Sequence, residues 1–181
     1  WPYMTSNVVH RFPDRGVAAL AARQHGVVAR WQLRDVGMSD GQIAGRLERG
    51  RLHPVHRGVY AVGHRLLTCE GRWMAAVLSL GPSAVLSHRS AAALWGLVAD
   101  DGPRPDVTVP GRGTLRRRGV LVHRTPAVQR TRHRGIPVTT PMRTLVDLAA
   151  VAPRRVLVRA VEHAERLRVF DLRELERLMG R

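Results

Sequence analysis

The chain contains no lysine: all 30 of its basic residues are arginine. That absence excludes a lysine Schiff base, a phosphate-loop lysine and the lysine that accompanies carboxylates in metal-dependent nucleases. The single cysteine, Cys69, excludes an internal disulfide and a thiolate zinc site. Aromatic residues make up only 4%, and Trp73 and Trp95 stand among alanines and leucines at helical spacing, which reads as core rather than as base-stacking platforms. No apolar run approaches the roughly 18 residues that a membrane span needs, and no repeat recurs at a period of about 20 to 50 residues. Trp1 to Arg11 shows neither a long apolar stretch nor a small-residue cleavage site, so no secretory signal is read there. The expectation is a cytoplasmic protein without a membrane partner.

What the chain has in excess is positive charge. Thirty basic residues against 14 acidic ones leave +16, a balance that attracts polyanions. Codon bias in a GC-rich genome accounts for the choice of arginine more readily than selection, but the chemistry follows either way. A guanidinium bonds bidentately to phosphate and to the guanine edge, which an ammonium does less well.

The pattern along the chain predicts an α+β protein in two domains, a winged helix-turn-helix over 14–66 and a mixed α+β domain over 67–181, with 1–13 as an extension. A first helix from Asp14 carries Val17, Leu20 and Ala21 on one face and closes at Gly26. A second, from about Arg30 to Val36, buries Trp31 or Leu33. The third has the clearest start, because Ser39 and Gln42 stand at capping-box spacing, and Gly50 is its stop. Two β-prone arms around Arg57-Gly58 then form the wing, and Pro54 suits its edge strand.

In the third helix Ile43 and Leu47 face the core, which groups Gln42, Arg46 and Arg49 opposite them. In a major groove, Arg bridges guanine O6 and N7 and Gln bridges adenine N6 and N7. Ser39 and the first-turn amides would hold phosphate. Asp40 favours the first turn through the helix dipole and is a candidate acceptor from cytosine N4. On the wing, Arg51, His53, His56 and Arg57 would position the backbone rather than specify sequence. The plain alternative for all of these is a solvated charged face.

The second domain is expected to hold a helix ending at Gly81-Pro82 and a Ser87-capped helix from Ser90 to Leu97. Strands follow over Asp106–Val109, Gly119–His123 and Ile136–Thr139, then helices opening at Thr140-Pro141, at Pro153 and at an Asp171/Glu174 capping box. Ser87-His88 reads as a cap and its neighbour rather than a catalytic pair, since adjacent helical residues point about 100° apart. Asp147, Glu162 and Glu165 read as ion-pair partners of Arg143, Arg159 or Arg166. His53, His56 and His64 are loosely spaced and lack a carboxylate, so no metal or cofactor is assigned. The basic loop carrying Arg112, Arg116, Arg117 and Arg118 could extend a DNA footprint, bind RNA or meet an acidic protein face, and the sequence leaves these three open.

Together these segments resemble the AbiEi-type antitoxins. The likeness runs from the Ser39-capped helix through Gly50-Arg51-Leu52 and Arg57-Gly58-Val59-Tyr60-Ala61 to Leu86-Ser87-His88-Arg89-Ser90, Asp106-Val107-Thr108-Val109-Pro110, Gly135-Ile136-Pro137-Val138-Thr139-Thr140-Pro141 and Arg143-Thr144-Leu145-Val146-Asp147-Leu148-Ala149. The resemblance implies a non-enzymatic type IV toxin-antitoxin component. Its winged helix would bind double-stranded promoter DNA and its second domain would neutralise a nucleotidyltransferase toxin. Apart from the resemblance, an inverted-repeat operator is expected if the protein binds as a homodimer or binds twice. Similar actinobacterial proteins often carry a further DUF559 domain that resembles Vsr-type or restriction-type nucleases. The alternative reading is therefore the DNA-targeting module of such a nuclease, with the catalytic domain outside this chain.

Overall fold

The computed structural model describes residues 13–99 and 102–180. The expected extension, apart from Pro13, and the first part of the expected loop after Ala99 lie outside them. The described residues contain α-helices with two β-sheets, and the chain divides after Ser79 into two compact units.

The first unit opens with helix α1 (Pro13–Arg23), strand β1 (Val27–Ala29) and helices α2 (Arg30–Asp35) and α3 (Asp40–Glu48). Strands β2 (Leu52–His56) and β3 (Val59–Val62) follow, then helix α4 (Cys69–Leu78). The strand order is β1-β3-β2, all antiparallel. Ser39 starts α3 as expected: its hydroxyl accepts from the Gln42 amide at 3.2 Å while Gln42 Oε1 accepts from the Ser39 amide at 2.9 Å. The β2–β3 hairpin turns at Arg57-Gly58, where Gly58 takes φ +73°, a conformation that costs glycine little. Pro54 lies on β2, the edge strand, beside a register shift between Pro54 and His56.

The core of this unit joins Val17, Ala21, Val28, Leu33, Met38, Ile43, Leu52 and Tyr60. Burying side chains such as Leu33, Ile43 and Leu52 contributes roughly 1.5–3 kcal/mol each. Of the two candidates on α2, Leu33 is buried and Trp31 is 40% exposed. Helix α4 packs on β1, β2 and β3, so it belongs with the winged helix, whereas the sequence places the domain boundary at residue 66.

The second unit contains β4 (Val85–Leu86), α5 (His88–Leu94), β5 (Asp106–Pro110), β6 (Leu121–Thr125), β7 (Arg130–His133), β8 (Ile136–Thr139), α6 (Pro141–Ala149), α7 (Arg154–Arg166) and α8 (Leu172–Leu178). Its five-stranded sheet has the order β6-β5-β4-β8-β7. The β5–β6 and β4–β8 pairs are parallel, and the β4–β5 and β7–β8 pairs antiparallel. Helix α5 packs on α6 and β5, and α6 packs on α7 and α8. Ala92, Leu97, Met142, Leu145, Leu148, Ala160 and Ala164 form the buried centre of that helical layer.

Two caps in this unit differ from expectation. Ser87 stands at the N-cap of α5, but its hydroxyl makes no cap bond; it accepts from Thr108 at 2.8 Å and meets His88 Nδ1 at 3.0 Å. At α8, Asp171 accepts from the Glu174 amide, yet Glu174 turns to Thr140, whose hydroxyl donates to it at 2.6 Å. The reciprocal half of the box is thus exchanged for a bond that anchors α8 to the start of α6.

Candidate nucleic-acid interface

Helix α3 follows α2 after a short turn at Gly37-Met38, and the hairpin follows α3 directly, the order of a winged helix-turn-helix. The Arg30 amide, at the start of α2, donates to the Gly58 carbonyl at 2.8 Å. The tip of the hairpin is therefore fixed to the helical part rather than hanging from β2 and β3 alone.

Asp40 is the centre of an arginine clamp. Arg34 reaches Asp40 Oδ2 at 2.6 Å and Arg30 reaches Oδ1 at 3.0 Å. These contacts, Arg34 first, hold the Asp40 carboxyl down to about 2. All three side chains are about half exposed, so the pairs add little to stability. Their effect is positional: two guanidiniums are gathered at the N-terminal turn of α3. Asp40 keeps its place near the helix start, but both of its oxygens face arginine rather than a base. Arg30 and Arg34 are absent from the site expected from sequence, although their i,i+4 spacing on α2 is the signal that would have found them.

The expected trio on α3 is divided. Arg46 pairs with Asp14 at 2.5 Å, and its side chain is only 13% exposed while that of Asp14 is 75% exposed. The hydrogen bond from Arg46 holds the Asp14 carboxyl below its ordinary range, with Arg51 adding to the effect. Arg49 and Gln42 are exposed, although the Gln42 carboxamide is engaged in the cap and the Arg49 guanidinium lies over Gly45. On the hairpin and its flanks, Arg51 and Arg57 are exposed. His53 is held between the Gly63 carbonyl at 3.3 Å and Arg65 at 3.4 Å, and His56 is half-buried. Arg112, Arg116 and Arg118, in the second unit, are exposed, and Arg117 forms a bridge with Val120.

A second polar constellation escaped the sequence reading. On β5, Asp106 and Thr108 share a face, and the parallel register with β6 sets His123 beside Thr108 on it. Asp106 Oδ1 lies 2.7 Å from His123 Nε2, and His88 stacks on His123 with centroids 3.6 Å apart. Burial, and then His123, push the His88 imidazole down to about 4. His88 sits at φ +49° where β4 turns into α5, a backbone state that costs a non-glycine residue of order 1–3 kcal/mol. The histidines that stand near one another in sequence, His53, His56 and His64, are not the ones that meet; His88, Asp106 and His123 come from three elements, and their one signal in the sequence is a polar residue at the end of an apolar strand.

Residues 17–63 match the family model described as "Transcriptional regulator, AbiEi antitoxin", and residues 83–179 match "AbiEi antitoxin C-terminal domain". No curated protein matches the chain significantly. Among solved structures, the crystal structure of the RV2827C protein from Mycobacterium tuberculosis is similar at 21% identity, covering 91% of this chain and 69% of that one with a TM-score of 0.55. That likeness is one of fold. No helix among the described residues is long and apolar enough to cross a membrane.

Proposed function

The chain belongs to the AbiEi antitoxin family, and from that premise we propose that this DNA-binding regulator of antitoxin type represses its own operon sequence-specifically and neutralises a nucleotidyltransferase toxin through its second unit. The observation that carries the DNA half is the capped helix α3 followed by a fixed hairpin in a chain of net charge +16. Ser39 and the α3 amides take a phosphate, Arg30 and Arg34 flank it, and Arg49 with Gln42 reads the groove. Arg46 reaches a base or phosphate by releasing Asp14. Arg51, His53, His56 and Arg57 hold the backbone beside the hairpin. A homodimer would match an inverted-repeat operator. The toxin half rests on the family alone, with the Arg112 to Arg118 loop as the proposed contact for an acidic partner face.

The test is binding of the full chain to the DNA upstream of its own gene and to shuffled DNA of equal length, across a salt series. A preference of roughly a thousandfold or more for the upstream DNA is expected. Equal affinity would reject sequence-specific repression. Co-expression with a neighbouring nucleotidyltransferase gene tests the toxin half: growth inhibition unrelieved by the chain would reject it.

A further inference from the structure

We propose that His88, Asp106 and His123 form a binding site for one divalent transition-metal ion of the zinc class. One donor atom from each lies within 4.8 Å of the others. In a tetrahedral zinc site, bonds of about 2.0–2.2 Å place ligand atoms roughly 3.3 Å apart, so binding would open the 2.7 Å Asp106–His123 hydrogen bond and turn the stacked rings of His88 and His123 until both point at one ion. Two imidazoles and one carboxylate suit zinc, nickel, cobalt or copper, whereas magnesium and calcium demand oxygen donors. Three protein ligands leave a fourth position for water or an exogenous ligand, the composition of open zinc sites.

Burial separates this triad from a surface cluster. Asp106 is 1% exposed, and its Oδ2 is a buried acceptor with no hydrogen-bond partner. Buried carboxylate oxygens are rarely left unsatisfied without a missing water, ion or ligand. Asp147, whose charge acts on His88, has a second such orphan, Oδ2, while Arg143 satisfies its Oδ1 at 2.7 Å. With Arg143 on Asp147 Oδ1 and His123 on Asp106 Oδ1, the two Oδ2 atoms remain as buried acceptors without a hydrogen-bond partner, which favours a cation.

The surroundings are also built. Ser87 engages His88 Nδ1 and is itself tied to Thr108, the kind of outer contact that fixes a ligand imidazole's orientation and tautomer. The left-handed backbone at His88 brings its ring over His123. His123 is 29% exposed at its side chain, which gives an ion a way in. Binding would tie the start of α5 to β5 and β6.

The test uses the full chain, without a histidine tag, stripped with chelator and titrated with zinc chloride by calorimetry at neutral pH. One equivalent is expected to bind, with His123→Ala and Asp106→Asn each weakening that binding at least about tenfold. His64→Ala, an exposed histidine of the first unit, is expected to leave it unchanged. Absence of saturable binding, or binding that survives both site variants and is lost in His64→Ala, would overturn the proposal. Because a variant can fail to fold, imidazole NMR of the unmodified chain with one equivalent of cobalt(II) supplies a second reading. Selective shifts at His88 and His123 support the site; shifts confined to His53, His56 and His64 overturn it. Neither outcome depends on DNA binding.

Discussion

Arg46 and Asp14, separated by 32 residues in sequence, meet at 2.5 Å, so an arginine of α3 is held by the first turn of α1. In the proposed complex Asp14 competes with DNA for that guanidinium. Asp14→Ala should raise operator affinity, and Arg46→Ala should lower it by roughly 1–3 kcal/mol while changing random-sequence binding little. Fluorescence anisotropy on both DNAs checks the pair. If both variants bind the operator as the parent does, Arg46 serves the fold alone.

In the proposed complex a similar competition acts at Asp40, but with two arginines and a phosphate rather than a base. Asp40→Asn should release Arg30 and Arg34 to the DNA backbone and steepen the salt dependence of binding, whereas Arg34→Ala should flatten it by about one unit of slope. Equal slopes in both variants would remove the clamp from the interface.

The same clamp has a pH signature. The Asp40 carboxyl is depressed to about 2 in the fold, chiefly by hydrogen bonds from Arg34 and Arg30, against about 3.9 unfolded. Its stabilising contribution is therefore fully present above the unfolded value and is lost as pH falls from there through about 2. Carboxyl-detected NMR should find Asp40 titrating well below an ordinary aspartate, and Arg34→Ala should raise its midpoint. A midpoint near the unfolded value in the parent would mean the clamp does not persist in solution.

What was legible in the sequence was local. Ser39 and Gln42 cap each other across three residues, Gly58 turns its hairpin, and Thr140 with Pro141 opens α6, because each signal and its structural result lie within one turn. Strands β1 and β4 were not seen: Val27–Ala29 and Val85–Leu86 are too short to show a period. Arg130–His133 carries no apolar alternation and is a strand only because β8 pairs with it at the sheet edge. The fates of Arg46 and Asp40 depended on side chains that tertiary folding brings near. Spacing within α3 could group Gln42, Arg46 and Arg49, but it could not show that Asp14 covers one of them.

On the hairpin, Arg57 is exposed beside the turn that the Arg30 amide fixes. Arg57→Ala should weaken operator and random DNA alike and reduce the salt slope by about one. An unaltered slope would remove this residue from the phosphate contacts.

Ser87 separates a capping role from a core polar role. A solvent-facing cap serine costs about 1 kcal/mol when replaced by alanine, and loss of the cap would fray the first turn of α5. Here the hydroxyl is buried and accepts from Thr108 while meeting His88. Ser87→Ala would leave the buried Thr108 Oγ1 without that acceptor, which costs about 1–3 kcal/mol. Thr108→Val removes the other partner of the same bond. If the bond between them carries the effect, the double variant should lose clearly less than the sum of the two single losses in thermal denaturation. Additive losses would mean that Ser87 acts on its own helix, as the sequence first suggested.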